Sequence, residues 1–203
     1  MKKHSANYPN LHIIKKSIRT LYKCLSDEKI RTFTKSLDPN ESTLRDGNII
    51  INVQHLASII ARHLQLPTGC IIVTFREMKN PGCVELTPED GYLVKLRPMY
   101  RWNTRDIAAI LAHEITHVFL HRHNIRFSDT LENEILTDTS AAYLGVGWLC
   151  LNAYRKTESH HEYYSQTGER EGYTKTEEER LGYLTPQEFG YIIGKRAVAI
   201  ALR

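Results

Sequence analysis

The chain has 203 residues with a formal net charge of +4, and 41% of its residues are hydrophobic while 25% are charged. This length suits one domain with a sizeable core, and the composition excludes a wholly disordered chain. No apolar run approaches the roughly 18 residues of a membrane-spanning helix, and the polar N-terminus lacks the apolar segment of a signal peptide. We therefore expect a cytoplasmic protein with no membrane partner and with reduced cysteines.

Positive charge is concentrated in the N-terminal part of the chain. Residues 1–47 contain ten Lys or Arg and five Asp or Glu, although the whole chain carries only +4. A helix predicted over about residues 11–25 carries four cations opposite its apolar face: Lys15, Lys16, Arg19 and Lys23. Such a basic stripe is compatible with a nucleic-acid-binding surface. We favour the simpler interpretation as the solvated face of an amphipathic helix, because no nucleic-acid-binding motif accompanies it.

Hydrophobic periodicity predicts a helix and then a small sheet in the next part of the chain. An amphipathic helix is expected over residues 53–66. Runs of β-branched and apolar residues predict strands over residues 70–75, 83–86 and 92–96. In the last of these runs polar and apolar residues alternate enough to predict a strand with one face more exposed to solvent than the other. We expect the sheet to pack beside the helices that follow, in an α+β fold over a single domain of residues 1–203.

Helices dominate the C-terminal half. Asn103 is positioned to cap a helix that extends to His121, and a further long helix is expected over residues 131–154. Residues 155–180 contain no Leu, Ile, Val, Met or Phe, which predicts a mobile polar segment or lid. A capping box, Thr185 to Glu188 with proline between them, opens a last helix.

An HExxH motif lies inside the helix that begins near Asn103. His113 and His117 are four residues apart, so they project from one helical face and can bind one Zn²⁺ ion together. Glu114 is rotated by about 100° from His113, which places a carboxylate beside the metal without making it a ligand. In this position Glu114 can accept a proton from a zinc-activated water and pass it to a leaving amine.

A candidate third ligand stands on the next predicted helix. Glu134 follows His117 by 17 residues, and Asp138 lies on the same helical face as Glu134. A catalytic zinc site needs a third ligand and benefits from a carboxylate that orients a ligating imidazole. We assign Glu134 as the ligand and Asp138 as the orienting partner, with the reversed assignment left open. The alternative is that Glu134 and Asp138 are acids on the helix surface with no role at a metal.

Two more histidines follow the motif but do not extend it. His123 falls where the metzincins have their third zinc-binding histidine. That family needs glycine at the position of Leu120 and a methionine turn downstream, and this chain has neither. We therefore interpret His121 and His123 as residues of the helix end, with a role in contacting substrate left open for either of them.

These residues together resemble a known group of enzymes. The segment Ala112–His117 with Glu134–Leu144 resembles the ImmA/IrrE family of small bacterial metallopeptidases, within a gluzincin-type HExxH…NExxxD pattern. The resemblance implies a zincin-like fold, in which a helix with the HExxH motif is followed by a helix carrying the third ligand. It also implies one zinc per chain and the site-specific cleavage of a helix-turn-helix transcriptional repressor, usually to derepress phage, mobile-element or stress-response genes. CapP-type peptidases of anti-phage defence are similar as well, which implies DNA damage or single-stranded DNA as an activator.

Cys83 is the cysteine with a candidate role. It follows a Pro-Gly turn, just ahead of the strand that precedes the HExxH helix. A thiolate there can occupy the open position of the zinc and silence the enzyme, because sulfur binds zinc tightly. An ordinary half-buried turn residue is the equally open alternative. The remaining cysteines, all in apolar contexts and expected in the core, are Cys24, Cys70 and Cys150.

The sequence therefore predicts a regulated zinc endopeptidase and leaves two other classes to weigh. One is a DNA- or repressor-binding module stabilised by a structural metal, without peptidase activity. Glu114 argues against it, because a structural site does not use a carboxylate beside an open metal position. The other is a zinc hydrolase of non-peptide substrates. The run Tyr92–Leu96, interpreted as an edge strand that can pair with an extended peptide, argues against that class.

Overall fold

The computed structural model describes residues 8–38, 48–87, 91–164 and 170–201. Within them the chain is a mixed α+β structure. The helices are α1 (Leu11–Arg31), α2 (Ile49–His63), α3 (Thr104–Arg122), α4 (Thr130–Leu144), α5 (Gly147–Asn152) and α6 (Pro186–Ala201). The strands are β1 (Ile71–Phe75), β2 (Gly82–Leu86), β3 (Tyr92–Leu96), β4 (Arg155–Tyr164) and β5 (Arg170–Glu179). No helix of these residues is long and apolar enough to cross a membrane.

The first three strands form a mixed sheet in the order β1-β3-β2. β3 pairs parallel with β1 and antiparallel with β2, so the interpretation of Tyr92–Leu96 as an edge strand is wrong. The misleading residue is Lys95, whose charge suggested that one face of this strand is exposed to solvent. Lys95 is buried, and its charge is compensated there because its Nζ lies 2.5 Å from Glu85 Oε1 on the neighbouring strand. The edges of this sheet, within the described residues, are β1 and β2.

The central element is α3, which is buried on nearly all sides from Asp106 to Leu120. It packs against α2, α4, α5 and the sheet. Its start is as expected, since the Asn103 side chain accepts a hydrogen bond of 3.1 Å from the Asp106 amide. A helix that is apolar around its whole circumference is typical of a core position. The HExxH motif therefore sits on the most enclosed helix, with the face that carries His113 and His117 open to a cavity.

The long helix expected over residues 131–154 is two helices, α4 and α5. The chain leaves α4 at Gly145, which has a left-handed φ of +101°. A side chain there would also collide, because an added Cβ would lie 2.5 Å from the carbonyl oxygen of Lys35. Glycine is the residue that adopts this conformation without strain, so it ends the helix although the apolar pattern continues through it.

Within residues 155–180, predicted from the sequence to be a mobile polar segment or lid, the described residues are mostly strand. They contain a β-hairpin in which β4 pairs antiparallel with β5, from Arg155 opposite Glu179 to Tyr164 opposite Arg170. Thr and Tyr are frequent here, and these residues favour strands even where no aliphatic core residue is present. The Thr and Tyr content was therefore a signal for strands, which the missing aliphatic residues concealed. Arg155 anchors its base by bonding to Asp106 at the start of α3.

The remaining predicted elements differ mostly at their ends. The expected helix over residues 11–25 is present, and α1 continues after a kink at Ser26, whose φ is +59°. α2 begins at Ile49, capped by Asn48, and ends at His63. The capping box of α6 is confirmed, because the Glu188 amide lies 3.2 Å from Thr185 Oγ1 and the Thr185 amide lies 3.0 Å from Glu188 Oε2.

The cysteines expected in the core occupy three different environments. Cys150 is buried as expected, and Cys70 is half-buried. Cys24 is exposed on α1, so its assignment to the core is wrong. Cys24 lies outside the buried face of α1, which includes Leu21 and Leu25, so its side chain faces solvent.

Candidate metal centre

The two histidines of the HExxH motif face each other across one turn of α3. Their ring centroids are 4.7 Å apart with the rings nearly perpendicular, and their Nε2 atoms are 3.1 Å apart. Two imidazoles at positions i and i+4 reach this arrangement because their side chains lie one above the other on the helix. Both Nε2 atoms point at the same spot, where a single ion can bind to both.

Glu134, on α4, completes a triangle of donor atoms. Its Oε2 lies 3.0 Å from His113 Nε2 and 3.2 Å from His117 Nε2. Zinc bonds of about 2.0–2.1 Å at tetrahedral angles separate neighbouring ligand atoms by about 3.3 Å, so this triangle fits the metal. Among the described residues, these three form the one group of His, Cys, Asp or Glu whose donor atoms lie within 4.8 Å of one another.

Asp138 stands behind the triangle, one turn further along α4 than Glu134. It is fully buried, and its Oδ1 lies 2.8 Å from His113 Nδ1. A carboxylate at Nδ1 holds the proton of the imidazole there and leaves the Nε2 lone pair for a metal. Glu134 thus lies with the two Nε2 atoms and Asp138 at His113 Nδ1, an arrangement compatible with Glu134 as the ligand and Asp138 as the orienting partner.

Thr137 contacts Nδ1 of His117, as Asp138 contacts Nδ1 of His113. Its Oγ1 lies 3.2 Å from His117 Nδ1 and donates its own proton to the carbonyl oxygen of Asn133, 3.0 Å away. With its own proton directed to Asn133, the hydroxyl oxygen can accept from a proton on His117 Nδ1, which would leave His117 Nε2 free for a metal. Sequence analysis missed this residue, although its place between Glu134 and Asp138 on one helix was a usable signal.

The charges around the histidines are those of a cation site. Burial alone would lower the pKa of His113, but the contacts with Asp138 and Glu134 and the charge of Glu114 outweigh it and raise this pKa to about 10. Burial would raise the pKa of Glu134, but its hydrogen bonds with the two histidines bring it down to about 2. The surrounding carboxylates therefore favour positive charge at this position, which a bound divalent metal ion would supply.

Glu114 lies beside this centre and is not part of the triangle. It is 7% exposed, and burial raises its pKa, while the two neighbouring histidines act in the opposite direction. A carboxyl group of raised pKa can hold a proton nearer to neutral pH than an ordinary glutamate does. The arrangement suits a group that takes up a proton and releases it again.

The metal centre opens into a cavity of about 810 Å³. One part of its lining is β2 with the turn that precedes it, and another is the segment Arg180–Tyr183, which follows the β4–β5 hairpin. β2 passes directly over the HExxH helix, since an added Cβ on Gly82 would lie 2.5 Å from Ile110 Cγ2 and 2.8 Å from Glu114 Oε1. Glycine is required at this crossing because no side chain fits between the strand and the helix.

Tyr183 is the residue of the cavity that sequence analysis missed entirely. Its ring stacks on His113 with centroids 6.1 Å apart, and it remains 40% exposed. Its amide donates to Asp138 Oδ2 over 2.6 Å, so one buried carboxylate holds both His113 and the Tyr183 backbone. Gly182, at φ +136°, permits this approach. No local motif marks Tyr183, because it is brought to the site by the path of the chain after the hairpin.

Cys83 is not brought into the metal triangle. It lies within β2, which includes the strand predicted over residues 83–86, and its register partner on β3 is Lys95. Because side chains alternate along a strand, Cys83 shares the sheet face of Lys95 and Glu85, whereas Gly82 faces the HExxH helix. Burial, followed by the charge of Glu114, raises the pKa of the Cys83 thiol.

The two histidines at the end of α3 have separate environments. His121 lines the cavity, and its Nδ1 lies 2.9 Å from the hydroxyl of Tyr92. His123 packs against Phe119, and burial lowers its pKa, assisted by Lys29 and Arg122. Only His121 therefore faces the space in which a substrate would lie.

Comparisons with known proteins found no match for the chain. No family model matches it, and neither a curated protein nor a solved structure resembles it significantly. The metal centre and its cavity therefore rest on the residues and geometry described above.

Proposed function

We propose that the chain is a zinc-dependent endopeptidase with a zincin-like arrangement of its sheet and its two ligand-bearing helices. The observation that carries the proposal is Glu114, a buried carboxylate beside the donor triangle of His113, His117 and Glu134 at the floor of an open cavity. A structural metal site has all its positions filled by protein, whereas three ligands and a neighbouring base are typical of hydrolytic sites.

Each residue then has a defined task. Bound Zn²⁺ supplies Lewis acidity and lowers the pKa of a coordinated water. Glu114 accepts the proton of the attacking water and passes it to the nitrogen of the departing amine. Asp138 and Thr137 keep the imidazole protons on Nδ1. The hydroxyl of Tyr183 is the candidate donor to the oxygen on which negative charge develops, because its ring lies on His113 in the cavity.

An extended peptide is the substrate class that the cavity favours. β2 is an edge strand within the described sheet, and residues 80–84 line the cavity beside the metal centre. The unpaired edge of a strand can bind an extended segment through main-chain hydrogen bonds. This argument replaces the one made from Tyr92–Leu96, whose strand is central in the sheet.

The resemblance of the two motifs to the ImmA/IrrE family supports a more specific proposal. The substrate would be a partner protein, a helix-turn-helix repressor, cleaved in a stress or anti-phage response in the cytoplasm. Single-stranded DNA is the proposed activator, and the exposed cations of α1 are its candidate contact. Of these cations Lys16 is engaged, since its Nζ lies 2.5 Å from Glu132 Oε2, which leaves Lys15, Arg19 and Lys23.

Replacement of the proposed base tests the mechanism. The zinc-loaded wild type should cleave peptides from a mixed peptide library, and the repressor-like protein encoded next to its gene where there is one. Glu114→Gln should keep the zinc and the fold but lose cleavage by several orders of magnitude. Glu28→Gln, an exposed site on α1, is the matched control and should cleave as the wild type does.

Two results would contradict the proposal. Cleavage by Glu114→Gln at the wild-type rate would exclude Glu114 as the base. A wild-type protein that binds one zinc per chain but cleaves neither the library nor the neighbouring protein would favour the metal-stabilised binding module instead.

A further inference from the structure

Away from the metal centre, the cavity lining is basic. Its described acidic residues are Glu114 and Glu134 alone, and both belong to the metal centre. The lining also includes three side chains that carry or can accept a positive charge: His121, Arg126 and Arg180. Two of them, His121 and Arg126, lie at the end of the cavity where α3 finishes and the connection to α4 begins.

His121 is held so that one ring nitrogen remains for a ligand. It follows His117 by four residues, on the same face of α3, and its Nδ1 lies 2.9 Å from the hydroxyl of Tyr92. Tyr92 is buried on the central strand, and the two rings meet edge to face with centroids 5.8 Å apart. A tyrosine hydroxyl can either donate or accept, so neutral and charged forms of His121 can both present an N–H at Nε2.

Arg126 has no acidic partner among the described residues, although acids lie close by in the sequence. Asp129 Oδ1 accepts a hydrogen bond of 2.8 Å from the Glu132 amide, which caps α4. Glu132 Oε2 pairs with Lys16. The turn itself is held in place, because the Phe127 amide donates to Asn133 Oδ1 over 3.0 Å. Arg126 is thus an exposed cation on an anchored turn at the mouth of the cavity.

We infer that this end of the cavity is a subsite for an acidic side chain of the substrate peptide, with His121 and Arg126 as its specificity-determining residues. The inference rests on the proposed function and extends it to a substrate class. A carboxylate there would accept from His121 Nε2 and from the Arg126 guanidinium, and such charge-assisted hydrogen bonds are the strong ones. No acid of the protein competes for the same donors within the described residues.

For a substrate peptide that lies along α3, the rise of the helix sets the position of the acidic residue. His121 is eight residues beyond His113 and four beyond His117, which corresponds to about 6–12 Å along the helix axis. An extended peptide advances about 3.3 Å per residue, so this span holds about two to four residues. We therefore expect Asp or Glu two to four positions from the scissile bond, on one side of it.

Cleavage-site profiling of the zinc-loaded full-length protein tests this. A library of proteome-derived peptides is digested, and the new termini are identified by mass spectrometry. The wild type should show Asp or Glu enriched about ten-fold at one of the positions two to four residues from the cut. Arg126→Glu should abolish that enrichment and favour Lys or Arg there. Arg122→Glu, an exposed change of the same charge one turn earlier and outside the cavity lining, should leave the profile unchanged.

A binding measurement separates failure of this inference from failure of the proposed function. Fluorescein-labelled peptides that differ only in Glu or Gln at the chosen position are titrated into zinc-loaded Glu114→Gln, followed by anisotropy. The Glu peptide should bind about ten-fold more tightly, and adding Arg126→Glu should reverse the order. Equal binding of the two peptides, or cleavage with no acidic preference, would overturn the subsite while leaving the peptidase intact. Absence of any cleavage with the preference in binding retained would overturn the peptidase alone.

Discussion

The backbone of Gly82 on β2 lies so close to Glu114 that an added Cβ would be 2.8 Å from its Oε1. The same Cβ would lie 2.5 Å from Ile110 Cγ2, so neither neighbour leaves room. The wall of the cavity and the proposed base are thus packed against each other. Any change that lifts the strand also frees the Glu114 carboxylate to move.

Gly82→Ala should therefore lower both stability and activity. We expect a loss of about 1–3 kcal/mol in the free energy of unfolding, the usual cost of overpacking, measured by urea denaturation. Cleavage should fall ten-fold or more, because displacing a catalytic group by a fraction of an ångström is costly. Gly194→Ala is the control, since a Cβ there meets nothing within 4 Å and the change should be neutral or stabilising. Wild-type activity in Gly82→Ala would contradict the close approach.

Asp138→Asn should weaken metal binding without unfolding the protein. The amide can accept from only one of the two groups that Asp138 now serves, His113 Nδ1 and the Tyr183 amide. Loss of such an orienting carboxylate lowers metal affinity by about 10–100-fold, which a competition titration with a chromophoric chelator measures. Asp27→Asn changes a carboxylate of an exposed ion pair and should leave the affinity unchanged. If both variants bind zinc as the wild type does, Asp138 has no role at the metal.

Cys83 should behave as a protonated thiol rather than a zinc-bound thiolate. Its pKa is raised, chiefly by burial, so less thiolate is present near neutral pH than for an ordinary cysteine. Alkylation by iodoacetamide should be slower at Cys83 than at the exposed Cys24, and it should accelerate as the pH rises through the raised pKa. Peptide mapping of the alkylated protein gives the two rates separately.

The inhibitory role considered for Cys83 predicts the opposite pattern. A thiolate bound to zinc would react slowly at every pH and would become reactive when the metal is chelated. Cys83→Ser would then raise basal cleavage, and an absorption-edge spectrum would contain a sulfur ligand at about 2.3 Å. A spectrum with nitrogen and oxygen ligands only, and an unchanged rate in Cys83→Ser, would exclude this regulation.

Arg155→Met should destabilise the protein more than loss of a surface ion pair does. Arg155 bonds to Asp106, whose side chain is only 10% exposed, and its removal leaves that carboxylate without this partner. We expect a loss of about 1–2 kcal/mol in the free energy of unfolding. Arg31→Met, which breaks the exposed pair with Asp27, should change it by no more than about 0.5 kcal/mol. Equal losses in the free energy of unfolding for the two variants would mean that the Arg155–Asp106 contact adds no more stability than an exposed ion pair.

The sequence was most informative where the chemistry is encoded at helical spacing. His113 and His117 share a face because they are one turn apart, and Glu134 and Asp138 do so for the same reason on α4. Capping residues located the start of α3 through Asn103 in the same local way. These relations depend on at most five consecutive positions, which is the range over which backbone geometry alone determines proximity.

The rest of the site depends on contacts that local patterns do not encode. Which strand is central in the sheet depends on pairing between distant segments, and the charge of Lys95 pointed to the wrong answer because its partner Glu85 lies on another strand. Tyr183 reaches His113 only after the chain has completed the β4–β5 hairpin. Gly145 ends α4 through a backbone conformation that the apolar pattern does not reveal.

The parts of this cavity come from separate stretches of the chain, and this division has a consequence for how the protein can change. The donor triangle and its orienting residues all stand on α3 and α4, joined by residues 123–129. Most of the surface that would meet a substrate comes instead from β2, the turn after α3 and the segment after the hairpin. Mutations in these walls can alter which target is accepted while the ligand atoms keep their places. A scaffold of this kind can be redirected to a new target without rebuilding its chemistry.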